Sequence, residues 1–298
     1  MQHRQLGSLS PSVIGLRASA LGTELDRTES DRLVGAALDV GLTLLLTGET
    51  DADGVAEEHL GRAVGRARDD VVVVTTVGDD EPPRGIARLT REHVRRSIDA
   101  SLTRLGRDWI DLVVLRDLDA RTSIEETLTA LDEQVRAGKV RELGVGQMPA
   151  ERLEEVAQAS DELALHRPVA VLVDYGPHEL GPDDELLPAV TELDLGAIAT
   201  SPLAGGRLVR PDPDHAADGD PDDVVERLRT RIDDLARHHG REAVDLALSW
   251  TVGRSGIRAA VAGARTVEQV AELGRVGALP LDEIQQAELD ERIEGLDR

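Results

Sequence analysis

The side chains best placed for chemistry in this 298-residue chain are carboxylates, gathered where apolar runs stop. Glu49 and Asp53 follow Leu42-Thr43-Leu44-Leu45-Leu46, Asp117 and Asp119 follow Ile110 to Leu115, and Asp174 follows Val169 to Val173. Two or three such groups could hold a hard cation through oxygen ligands. No histidine joins them at ligand spacing, and among 58 acids chance clustering is the simpler reading, so no metal is expected. The stretch from Asp212 to Asp223 has the look of a calcium loop, yet it lacks the glycine at position six and the terminal glutamate, and it carries Pro213 and Pro221. An acidic surface loop is expected there. His238-His239 reads as surface, and Gly205-Gly206 is a weak signal for a phosphate cradle. Cysteine is absent, which removes thiolate nucleophiles and Cys-ligated metals. Lys139 is the only lysine and Tyr175 the only tyrosine, so a reaction needing an amine or a phenol must use these.

The elements that must position these groups alternate in type. Leu42 to Leu46 reads as a buried parallel strand, because four of its five residues are Leu and no polar alternation interrupts them. A helix from about Val55 follows. Six further strands are expected at 71–77, 110–115, 141–146, 169–173, 197–200 and 257–261, with amphipathic helices between them. Thr90 is an expected N-cap, and Ser123-Ile124-Glu125-Glu126 has capping-box form. Residues 3–22, with Gly7, Pro11 and Gly15, suggest a hairpin rather than a barrel strand, and 281–296 a final helix. Seven strand–helix alternations without a break in composition point to one α/β domain over residues 1–298, a (β/α)8 TIM barrel with an N-terminal hairpin and a C-terminal helix. The eighth strand has no evident place. In such a barrel, strand-end loops face the ligand.

Acids outnumber bases 58 to 34, for a formal charge of −24. Such a surface repels phosphate backbones and anionic lipid, so neither nucleic acid nor a membrane is an expected partner. No apolar run reaches membrane-spanning length and no signal-like segment follows Met1, which points to a cytoplasmic protein. The expected partner is a small-molecule ligand, and the sequence leaves the oligomeric state open.

Several stretches, in order, carry a resemblance. They are Ala37-Leu38-Asp39-Val40-Gly41-Leu42-Thr43, Glu57-Glu58-His59-Leu60-Gly61-Arg62-Ala63, Ser101-Leu102-Thr103-Arg104-Leu105-Gly106, Arg136-Ala137-Gly138-Lys139-Val140, Ser201-Pro202-Leu203 and Gly263-Ala264-Arg265-Thr266. With them the chain resembles the aldo-keto reductase family nearly end to end. That resemblance implies hydride transfer from NADPH to a carbonyl, assisted by an Asp, a Tyr, a Lys and a His. Those four positions carry Leu46, Asp51, Thr76 and Arg116 here. The positions that hold the nicotinamide read Gly146, Gln147, Leu172 and Thr200, whereas Arg265 and Gln269 keep the family's adenosine end.

The substitutions lead to the expectation of a barrel with a degenerate site that has lost hydride chemistry. It would be a repurposed non-redox enzyme, carrying out elimination, cyclisation or isomerisation of a small polar substrate through Asp51, Arg116 and Tyr175. The alternatives are a binding or regulatory pseudoenzyme, and an NADPH-dependent oxidoreductase with a relocated proton donor. No cofactor is expected, or NADP bound weakly at best through the vestigial Arg265 and Gln269.

Overall fold

The computed structural model of the chain describes residues 1–65, 70–78, 89–118, 121–210, 224–276 and 281–294. Eight parallel strands close into a barrel: β1 Ile14–Arg17, β2 Leu44–Gly48, β3 Val72–Val77, β4 Ile110–Leu115, β5 Val140–Val145, β6 Ala170–Val173, β7 Gly196–Ala199 and β8 Ile257–Gly263. They pair in chain order, and β1 closes the ring on β8. The helices include α1 Arg27–Asp39, α2 Val55–Val64, α3 Arg91–Leu105, α4 Ile124–Arg136, α5 Ala150–Glu162 and α6 Leu186–Glu192. After them come α7 Val224–His239, α8 Ala243–Gly253, α9 Val267–Val276 and α10 Glu283–Glu294. The chain is thus a (β/α)8 TIM barrel. Among the described residues no helix is long and apolar enough to cross a membrane.

Strand alternation sorts the core into two parts. Leu44, Leu46, Val72, Val74, Leu112, Val114, Ala170, Ile198, Ala259 and Val261 fill the barrel. Their neighbours Leu45, Val73, Val113, Val171 and Ala260 face outward and pack under the helices. A two-residue period therefore fixes which strand-end residues point into the mouth. Helix starts are set locally: Asp26 accepts from the backbone N–H groups of Thr28 and Glu29, and the Glu29 carboxylate returns the bond to the Asp26 N–H. Thr90 and Ser123 accept from the N–H groups of His93 and Glu126, so both act as N-caps.

The hairpin expected over 3–22 needs correction. Antiparallel bridges join His3 to Ser12 and Leu6 to Leu9, and Leu6 and Leu9 plug the amino-terminal end of the barrel. Residues 14–17, however, are the missing eighth strand. Gly15 is required there, because a Cβ would lie 2.7 Å from the Leu44 carbonyl oxygen and 2.8 Å from a Val261 methyl. One of the residues that made the stretch read as a turn is the one that lets β1 close the ring.

Candidate functional site

At the carboxyl ends of the strands lies a cavity of about 760 Å³. Its floor is the uppermost interior layer, Leu46, Leu172 and Val261. One step further along each strand, the inward positions form its wall: Arg17 on β1, Gly48 on β2, Thr76 on β3, Arg116 after β4, Gly146 after β5, Asp174 after β6 and Thr200 after β7. Leu46, Asp51, Thr76 and Arg116, the four positions singled out by resemblance, all line this one cavity.

The backbone that aims Arg116 is pinned on both sides. Its N–H donates to the Val77 carbonyl at 3.1 Å, and Gly146 lies so close that a Cβ would sit 2.0 Å from the Arg116 carbonyl oxygen. Asp51 opens a short 3-10 turn in which Ala52 (φ 52°) and Asp53 (φ 54°) take left-handed backbone, at a cost of roughly 1 kcal/mol each or more. Strain of that kind persists where the surroundings fix the chain, and here it sets the path of the loop that carries Asp51.

Among the other strand-end acids, Asp117 and Asp174 line the cavity and Glu49 is structural. Glu49 is nearly buried and accepts from the Gly78 N–H at 2.6 Å and from the Ser97 hydroxyl, clamping β2 to the segment beyond β3. Asp53 is exposed, and Asp119 and the Asp212 to Asp223 stretch lie outside the described residues. Among the described residues no three His, Asp or Glu side chains gather as ligands for a cation. Lys139 pairs with Asp99 at 2.6 Å at the turn from α4 into β5, away from the mouth. His239 binds Glu288 at 2.7 Å in the helical shell.

Tyr175 is placed differently from the expectation. It continues the outward register of Val171 and Val173 and is fully buried outside the barrel, not among the residues lining the mouth. Its ring stacks on Trp250 at 5.8 Å, its hydroxyl donates to Asp183 at 2.8 Å, and Arg254 donates to that hydroxyl at 3.2 Å. Burial, with Asp183 alongside, pushes the phenol well above its usual range, which leaves it a poor proton donor. Its role is to tie the β6 loop to α8.

Beyond β8, Arg265 and Gln269 line the same cavity, with the Gln269 amide oxygen accepting from the Arg265 N–H at 2.7 Å. The Arg265 guanidinium is engaged by the Glu24 carboxylate from the loop after β1, and Arg210 by Glu272 at 2.7 Å. Gln147 accepts the Asp174 N–H at 2.6 Å. Arg17 was missed by sequence reasoning. Its signal is a charged residue closing the short apolar run Ile14-Gly15-Leu16, where a parallel strand would end.

Comparison with known proteins gives this barrel relatives over most of its length. The chain is 28% identical to the uncharacterized oxidoreductase YrpG of Bacillus subtilis, covering 90% of each chain. It is 28% identical to a probable voltage-gated potassium channel subunit beta of Arabidopsis thaliana, over 94% of this chain and 93% of the relative. It is 26% identical to the aldo-keto reductase YhdN of Bacillus subtilis, over 96% and 91%. These relatives correct the expectation of a barrel that has lost hydride chemistry. Proteins named oxidoreductase and aldo-keto reductase align with nearly the whole chain, which speaks against a non-redox enzyme. Residues 13–294 match the Aldo/keto reductase family, and the chain belongs to it.

Proposed function

We propose that the chain is an NADP(H)-dependent oxidoreductase that reduces a carbonyl compound at the barrel mouth, with a proton donor that is not a tyrosine. The observation that carries this reading is the shared cavity: Asp51, Thr76 and Arg116 stand on one wall of it and Arg265 and Gln269 on another. Its volume falls in the range of small-molecule sites. The donor set fits a phosphorylated dinucleotide. Arg265 and Arg210 are suited to phosphate, Gln269 and Gln147 to polar ring and amide groups, and the backbone at Gly205 and Gly206 has open space beside it.

When bound, the dinucleotide supplies a hydride to the carbonyl carbon, and a proton must reach the carbonyl oxygen. Arg116 stabilises the negative charge that gathers on this oxygen. Asp51 supplies the proton as an acid or holds the water that does so. The Leu46 and Val261 side chains keep the floor dry, which strengthens both interactions. To hold phosphate, Arg265 exchanges the Glu24 carboxylate for the ligand.

A fluorescence titration with NADPH, followed by aldehyde-dependent NADPH oxidation, tests this reading. The expected Kd is on the order of micromolar, with oxidation that depends on Arg116. Absence of binding at about millimolar NADPH would remove the reading.

A further inference from the structure

Arg17 ends β1 at an inward-facing register position, level with Leu46 of β2 and Gly263 of β8. Those neighbours present a hydrocarbon and no side chain, so neither offers a counter-charge. The residue is half-buried and lines the mouth cavity. Among the described residues its guanidinium has no hydrogen bond and no ion pair. Two other cations of the same cavity, Arg265 and Arg210, are already paired, with Glu24 and Glu272. In a chain carrying 58 acids against 34 bases, an arginine in the wall of a cleft with no ion pair among the described residues stands out. A guanidinium drawn partly out of water without an acceptor costs free energy, and a carboxylate or phosphate meeting its fork of donors offsets that cost.

We propose that Arg17 anchors an anionic group of the substrate, so that the protein acts on carbonyl compounds bearing a carboxylate or phosphate. The word substrate rests on the reductase reading above; the anion site does not. The anion lies against β1, with the carbonyl directed to Arg116 and Asp51 across the same cavity. The surface charge of −24 repels such compounds in bulk, and Arg17 supplies the local attraction that overcomes it.

Calorimetric titration without cofactor is the test, using succinate as the probe and uncharged succinamide as its control. The wild-type protein is expected to bind succinate and not succinamide. Arg17→Met is expected to weaken succinate about ten-fold or more, with Arg17→Lys recovering part of the loss. NADPH affinity of both variants should stay within about two-fold of wild type, and their thermal midpoints should not fall. Equal succinate affinity in wild type and Arg17→Met overturns the proposal, as does failure of wild type to bind succinate. A loss confined to NADPH also overturns it, assigning the guanidinium to a cofactor phosphate. Succinate binding that depends on Arg17, in a protein that fails to bind NADPH, sustains the anion site while removing the reductase reading.

Discussion

At the amino-terminal ends of the strands, Asp111 is fully buried and accepts four hydrogen bonds from described residues. They come from the Val73 N–H at 3.0 Å, the Trp109 indole at 3.1 Å, and Arg107 and Arg141 at 3.0 Å each. Both guanidinium groups also lie over the Trp109 ring, Arg141 at 4.5 Å from its centre. At the carboxyl ends, Arg17 makes no ion pair among the described residues, and Arg265 and Arg210 meet acids that a ligand could replace. The same residue type is used twice with opposite consequences. Where the guanidinium meets a buried carboxylate that backbone and indole donors also satisfy, as Arg107 and Arg141 do at Asp111, it fixes strands and loops. Where its partner is exposed or missing, it remains available for recognition.

Removing Asp111 breaks the closed end and should give the largest effect. Asp111→Ala leaves the buried Arg107 without its carboxylate, and unfolding in denaturant should show a loss of about 3–5 kcal/mol. The surviving folded protein should keep its NADPH affinity. Arg116→Met should do the reverse, lowering kcat/KM for an aldehyde about 100-fold while moving stability by under about 0.5 kcal/mol, since the side chain is exposed. A matching stability loss in Arg116→Met would erase the distinction between the two ends.

Smaller effects sharpen it. Arg265→Met should weaken NADPH about ten-fold and remove its advantage over NADH, whereas Glu24→Gln should tighten NADPH about three-fold by freeing Arg265. Equilibrium titrations of both dinucleotides read this directly. A change of similar size is expected at Asp245, in the helical shell, whose buried Oδ1 has no hydrogen-bond partner among the described residues. Burial pushes this carboxyl up, with Arg241 and Arg275 opposing the shift only in part. A carboxyl whose folded pKa is raised destabilises the fold wherever it is ionised, and that penalty fades as pH falls toward the unfolded value of about 4. Asp245→Asn should therefore gain about 1 kcal/mol at neutral pH and little at pH 4, measured by thermal unfolding at both.

How much of this could be read from the sequence follows from how each element announces itself. Val71-Val72-Val73-Val74 and the Leu42 to Leu46 run declare β3 and β2 because strands buried on both faces must be continuously apolar. β1 was hidden because Gly15 makes a close backbone approach and Arg17 serves the mouth, and both residues break the apolar run. Asp51 and Arg116 came from alignment with a family pattern, and the cavity contains both. Tyr175 went astray for a reason visible in the strand itself. Ala170 and Leu172 face inward, so Asp174 follows them into the mouth and Tyr175 turns away. Counting by two from the interior residues would have placed it. The ion pairs Glu24–Arg265 and Arg210–Glu272 join residues far apart in the chain, and no local pattern announces them.

The central claim, that this mouth performs hydride transfer with residues other than a tyrosine, is tested most directly by isotope transfer. The protein is incubated with NADPH deuterated at the reactive C4 position and an aldehyde, and the alcohol product is weighed by mass spectrometry. The account predicts an alcohol carrying one deuterium, formed by wild type and strongly reduced in Arg116→Met. Tight NADPH binding with no deuterated alcohol from any of a broad panel of aldehydes, anionic ones included, would contradict it.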